Sequence, residues 1–225
     1  VGIRYDGGGS PGNFLFTDNY TRANGGVGPN YYVMPTGASL QSINGQEGMW
    51  GVNANQGQLN NTTGSNQTMH GWLFPYANPQ NTLGLTQFME IKVTLISAIQ
   101  AFGIAVMGTP IGDAGYFMRV NAGAPNNLQL CLTGGAGMDG LTIQAGFDGG
   151  IPWALNDIIR LSVIPGVASN TVKSWINGVT VATRIDSTAG RPVLTQGMPA
   201  LGCGQSLIGA VSMFDNMRCG AGEGG

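Results

Sequence analysis

The residues that could do chemistry are few and scattered. His70 is the single histidine, and the eleven acids run from Asp6 to Glu223. Hydrolysis of a glycosidic bond takes two carboxyl groups at a defined separation. Two acids spaced by two on a strand would face the same side. Glu90 is the acid that falls inside a clear strand pattern, "FMEIKVTLI" (88–96), and its same-face neighbour is Lys92. Most of the other acids fall in turns. His70 stands in "MHGW", without the sharp Gly-x-Ser-x-Gly turn that presents a nucleophile. Cys131, Cys203 and Cys219 show no C-x-x-C spacing, and one histidine does not complete a zinc set. "GGAGMDG" (134–140) and "GFDGG" (146–150) hold one aspartate each. Calcium takes roughly six to eight oxygens, so these read as turns. The expectation is no catalytic set, no cofactor and no bound metal.

Residues suited to contact rather than catalysis are easier to find. Of the tryptophans Trp50, Trp72, Trp153 and Trp175, Trp153 follows Pro152 in a loop and is the one expected at the surface. With Tyr31 and Tyr32 it forms the candidate aromatic contact for a ligand. Ile3 and Tyr5 are the sizeable apolar groups in the glycine-rich opening "VGIRYDGGGSPGN", and are candidate contacts of an arm that adds a strand to a neighbour's sheet.

The elements that would position these residues are strands. Charged residues make up 9% of the chain, against about 25% in an ordinary domain. The net charge of -2, with no cluster of Lys and Arg, argues against nucleic acid and against anionic membrane surfaces. The most apolar run, 91–108, is interrupted by Lys92 and Gln100 and reads as two strands rather than a membrane span. From Phe14 the side chains alternate with period two, broken by Gly, Pro and Asn turns. Phe102, Ile104 and Val106 face inward against small residues, as do Ile91, Val93 and Leu95. Asn177-Gly178, between two β-branched runs, is the strongest hairpin signal. The stretch 53–68 is a polar loop or a weak hairpin. No amphipathic helix of three turns is found. The expected fold is all-β: a two-layer antiparallel sandwich over 14–220, with a flexible arm at 1–13 and a flexible tail at 221–225. The odd cysteine count and the lack of a charged-then-apolar leader predict reduced thiols.

"FTDNYTRANGGVGPNYYV" (16–33) resembles the D-x-F-x-R-x-x-G-x-L-G-x-x-W opening of concanavalin A-like jelly rolls, the laminin-G-like and lectin/glucanase sandwiches. Asp18, Tyr20, Arg22, Gly25 or Gly26, and Gly28 match it, with Tyr31 or Tyr32 in place of the tryptophan. "NDIIRLSVI", "KSWINGVTVAT", "QGMPALGCG" and "SMFDNMR" resemble later strands of that family in the same order. The resemblance implies that the first and last strands lie side by side, bringing Phe14 and Phe16 near Phe214. Asp18 and Asn19 would close an Asx turn, and Arg22 would hydrogen-bond loop carbonyls.

Two functions follow as expectations, neither enzymatic. The first is a virion protein, a bacteriophage capsid decoration or cement protein assembled in the host cytoplasm. It would be a homo-oligomer, dimer or trimer, stabilising the head through contacts with the major capsid protein. The alternative is a carbohydrate-binding module of a tail adhesin or bacterial surface protein, with glycan as partner.

Overall fold

Strands form wherever the alternation holds, and in the computed structural model eighteen of them make two antiparallel sheets. The structure describes residues 2–5, 14–26, 31–35, 50–61, 67–75, 86–108, 115–122, 126–134, 137–143, 150–189, 191–192, 198–206 and 209–223, and among them there is no helix. The ten-stranded sheet holds β1 (Gly2–Tyr5), β2 (Phe14–Asp18), β3 (Gly25–Gly26), β5 (Trp50–Asn53), β6 (Gln56–Asn61), β8 (Gln87–Leu95), β14 (Ile158–Ile164), β15 (Asn170–Ile176), β16 (Val179–Asp186) and β18 (Ala210–Ala221). Its order is β16-β15-β14-β8-β18-β6-β5-β3, with β2 also beside β18 and β1 beside β2. The eight-stranded sheet holds β4 (Tyr31–Pro35), β7 (Gln67–Pro75), β9 (Gln100–Gly108), β10 (Tyr116–Asn121), β11 (Asn127–Gly134), β12 (Gly137–Ile143), β13 (Ile151–Pro152) and β17 (Met198–Ser206). Its order is β12-β11-β10-β9-β17-β7-β4, with β13 on β11.

The core lies between the sheets. Met89, Ile91 and Val93 of β8 and Ile159, Leu161 and Val163 of β14 meet Phe102, Ile104 and Val106 of β9 and Met118 and Val120 of β10. Each such side chain contributes about 1.5–3 kcal/mol on burial. Phe214 stacks on Phe102 at 5.4 Å and meets Tyr20 edge-on at 5.3 Å. Leu95, expected inward with Ile91 and Val93, is exposed instead. It ends its strand, where the pairing with β18 shifts register.

The sequence motifs take definite form. β18 pairs with β6 along its first half and with β2 along its second, so first and last strands are neighbours as the resemblance implies. The Asx turn forms: Asp18 Oδ1 accepts the Tyr20 N–H at 2.7 Å, and Tyr20 sits buried at φ 55°. Arg22 pairs with the carboxylate of the same turn. Its Nη1 donates to both Asp18 oxygens at 2.8 Å and its guanidinium lies over the Tyr20 ring at 5.2 Å. The turn folds the chain back so that this carboxylate comes within reach of the guanidinium.

Asn177 and Gly178, at φ 51° and 80°, make the left-handed turn between β15 and β16. Within 53–68 a second hairpin turns at Ala54-Asn55 (φ 50° and 60°) between β5 and β6. The loop expected over 134–140 shrinks, because β11 runs to Gly134 and β12 starts at Gly137, placing Asp139 in a strand. In the region expected as an arm, Gly2–Tyr5 pairs with β2 of the same chain, Ile3 opposite Phe16, while 6–13 lie outside the described residues.

Candidate functional site

The outward positions of the eight-stranded sheet's middle strands form a site floor. Their register sets Gly202 of β17 opposite Gly103 of β9, Gly103 opposite Arg119 of β10, and Arg119 opposite Gln129 of β11. Glycine inside a central strand weakens it and marks a close approach. Here the close neighbours are the Phe117 ring and, for Gly103, first the Met118 carbonyl. A Cβ on Gly202 would lie 2.5 Å from the Phe117 ring, and one on Gly103 would lie 2.9 Å from it. Ala105 and Cys131 stand opposite Phe117 itself, so small residues leave a trough for one ring. Phe117 is fully buried.

Beyond that ring the face turns polar. Asn121 Nδ2 donates to Asn127 Oδ1 at 3.0 Å and to Gln129 Oε1 at 2.6 Å. The half-buried Asn127 and Gln129 keep their amide N–H groups as donors for a ligand. Arg119 is half-buried beside them, its Nε shielded and without a partner among the described residues. Burial pushes the Cys131 thiol up to about 11, against the pull of the nearby Arg119 charge. It stays a protonated thiol at neutral pH, as does the buried Cys219, and both are free. Cys203 lies on β17, with its side chain outside the described residues.

Trp153, expected at the surface, is 6% exposed. β13 pairs with Asn127 and Leu128 and feeds the indole into the core, where its N–H donates to the Asn121 carbonyl at 3.1 Å. It therefore braces the strand end that presents Asn121. Nothing in the loop "IPW" signals this, because the partner lies 32 residues away. Tyr31 and Tyr32 stand on β4 at the sheet edge, opposite Pro75 and Phe74. Their side chains, like those of Ile3 and Tyr5, lie outside the described residues. The sequence reading missed Arg119, Asn121, Asn127 and Gln129. The available signal was the pair of polar residues alternating with apolar ones in each of two strands, 119 and 121 in the first and 127 and 129 in the second.

The acids are committed elsewhere. Glu90 is buried on the outer face of the ten-stranded sheet, between Arg160 (2.6 Å) and Arg218 (3.2 Å). Asp186 accepts from Tyr116 Oη at 2.7 Å and from the Thr188 N–H and hydroxyl, at the junction of the two sheets. Burial alone would raise the Asp186 carboxyl. The hydrogen bonds from Tyr116 and Thr188 and the Arg184 charge outweigh it and hold the group below the usual carboxylate range. The Tyr116 phenol is driven up by burial and by that carboxylate. Among the described side chains, no carboxylate belongs to a strand of the eight-stranded sheet.

This architecture is a jelly-roll sandwich of the kind the resemblance implied. A structure from work on endo-acting O-glycanases with which prominent human gut microbiota members initiate mucin breakdown is similar over 92% of this chain and 98% of its own, at TM-score 0.58 and 12% identity. A mutant of the alginate lyase Aly36B in complex with alginate tetrasaccharide is similar over 93% and 97%, at 0.55 and 11%. The endo-1,3-beta-glucanase from Streptomyces sioyaensis is similar over 97% and 100%, at 0.54 and 12%. At such identities the likeness establishes the fold. No family model matches the chain, and no curated protein does.

Proposed function

We propose that this chain is a non-catalytic carbohydrate-binding module that holds glycan on the outer face of the eight-stranded sheet. The observation behind this reading is the Arg119–Asn121–Asn127–Gln129 cluster, set on rigid central strands. Sugar hydroxyls are paired donors and acceptors, and adjacent amides and a guanidinium complement them. The described side chains of that sheet supply no carboxylate for general acid–base work. The fold shared with proteins that act on glycans agrees with it. A glycan array followed by calorimetry tests the reading. Saturable binding that falls at least tenfold in the Asn121→Ala/Gln129→Ala double variant supports it. Turnover of a bound polysaccharide would overturn the non-catalytic part.

A second reading is a virion structural protein, a decoration protein contacting the major capsid protein. It draws on β16, an open sheet edge with Val179 and Ile185 exposed at 64% and 68%. Such an edge accepts a further strand from another subunit. Stoichiometric pelleting with expanded empty phage capsids supports this reading, and failure to associate with any capsid removes it.

A further inference from the structure

We infer that the saccharide held on this face is acidic, with the carboxylate of a uronic acid residue received by Arg119. This rests on the carbohydrate-binding reading above and specifies its ligand class. Other described arginines and one lysine spend their charge inside the protein. Arg22 is paired with Asp18, Arg160 and Arg218 with Glu90, and Lys173 with Glu223. Arg191 donates to the carbonyls of Thr188 and Val167. Arg119 has no carboxylate or carbonyl partner among the described residues. It is also the single arginine or lysine on any strand of the eight-stranded sheet.

Its setting is built for one planar anion. The backbone is fixed on both sides, by Gly103 of β9 and Gln129 of β11. The Phe117 ring two residues before it is fully buried in the Gly103–Gly202 trough. An arginine half-buried beside apolar surface, with its Nε shielded, gains most from a bidentate partner that replaces water along the guanidinium edge. Among the described side chains beside it no carboxylate competes with that partner: Asn121, Asn127 and Gln129 are neutral amides already bonded to one another. They offer the remaining contacts that ring hydroxyls need. A neutral saccharide would satisfy the amides and leave the cation unpaired, so the charge acts as the selector.

The test compares three tetrasaccharides by calorimetry on the intact chain: a mannuronate tetramer, its carboxyl-reduced counterpart and a sulfated neutral tetramer. The expected result is that the uronate binds about tenfold or more tighter than the reduced form, with the margin shrinking as salt is added. Arg119→Gln should erase the margin and Arg119→Lys should keep part of it. Because the first comparison uses only the unaltered protein, a variant that misfolds does not blunt it. Equal binding of uronate and reduced tetramer overturns the inference and leaves the glycan reading standing. Tighter binding of the sulfated tetramer than the uronate overturns the carboxylate assignment. A uronate margin that survives Arg119→Gln overturns the role of Arg119. Absence of binding to any of these or to arrayed glycans removes the glycan reading, and this inference with it.

Discussion

The outer faces of the two sheets were built to opposite plans. Strands of the ten-stranded sheet carry ten charged residues, and those of the eight-stranded sheet carry two, Arg119 and Asp139. On the former, Arg218, Glu90, Arg160 and Trp175 stand in one cross-strand row. The Arg160 guanidinium lies 5.4 Å from the Trp175 ring and 5.8 Å from the Phe88 ring, while Glu90 takes both arginines. Lys173 closes onto Glu223, which follows β18. These charges answer one another, so this row contributes to folding and has little left to offer a ligand. On the latter, amides and one guanidinium without a carboxylate partner among the described residues stand beside a buried ring. A face that satisfies itself stabilises; a face that leaves donors waiting binds.

That contrast can be broken most severely at Glu90. Glu90→Ala leaves Arg160 buried without its counter-charge and should cost about 3–5 kcal/mol in urea unfolding. Where the variant stays folded, glycan affinity should be unchanged, because the residue belongs to the other sheet. A matching loss of affinity would mean that the two faces are not separate in function. Next comes Gly202→Val, which drives a side chain into the Phe117 ring. It should cost about 1–3 kcal/mol by overpacking and also weaken glycan binding, seen as a lower Tm together with a lower affinity.

The junction between the faces comes third. Asn170 Nδ2 donates to Tyr116 Oη at 3.0 Å and to the Pro192 carbonyl at 2.8 Å, completing a network from β10 to β15 and β16. Tyr116→Phe should cost about 1–2 kcal/mol by stripping a hydrogen bond from a buried carboxylate. The pH dependence has a definite sign. Asp186 titrates lower folded than unfolded, so its stabilisation is in full force above the unfolded value of about 3.9. It is lost as pH falls through the depressed folded value, and Tyr116→Phe should flatten that acid limb in a Tm-against-pH series. The smallest effect belongs to the turn. Gly178→Ala forces a side chain to φ 80° in open space and should cost about 1 kcal/mol, with binding untouched.

Much of this fold was legible in the residues. Alternation placed Ile91, Val93, Phe102, Ile104 and Val106 in the core, because period two is a local property of a strand. The Asn177-Gly178 turn was legible because positive φ is a demand on two residues alone. The pairing of Arg22 with Asp18 was not read, because Asp18 was assigned only to its own Asx turn. Trp153 was misread as exposed because a proline-led loop says nothing of the strand end it will meet. Glu90 showed its parity but not its partners, which arrive from 70 and 128 residues away.

By itself, then, the order of residues determined that this protein would be strands, where several of them would turn, and which of their side chains would face inward. Those are short-range matters of backbone sterics and side-chain parity. Only the stacking of strands distant in sequence decided that Arg160 and Arg218 would neutralise Glu90 while Arg119 would meet no carboxylate among the described residues. Burial and charge pairing depend on what lies across the sheet, and that neighbour is chosen by the fold.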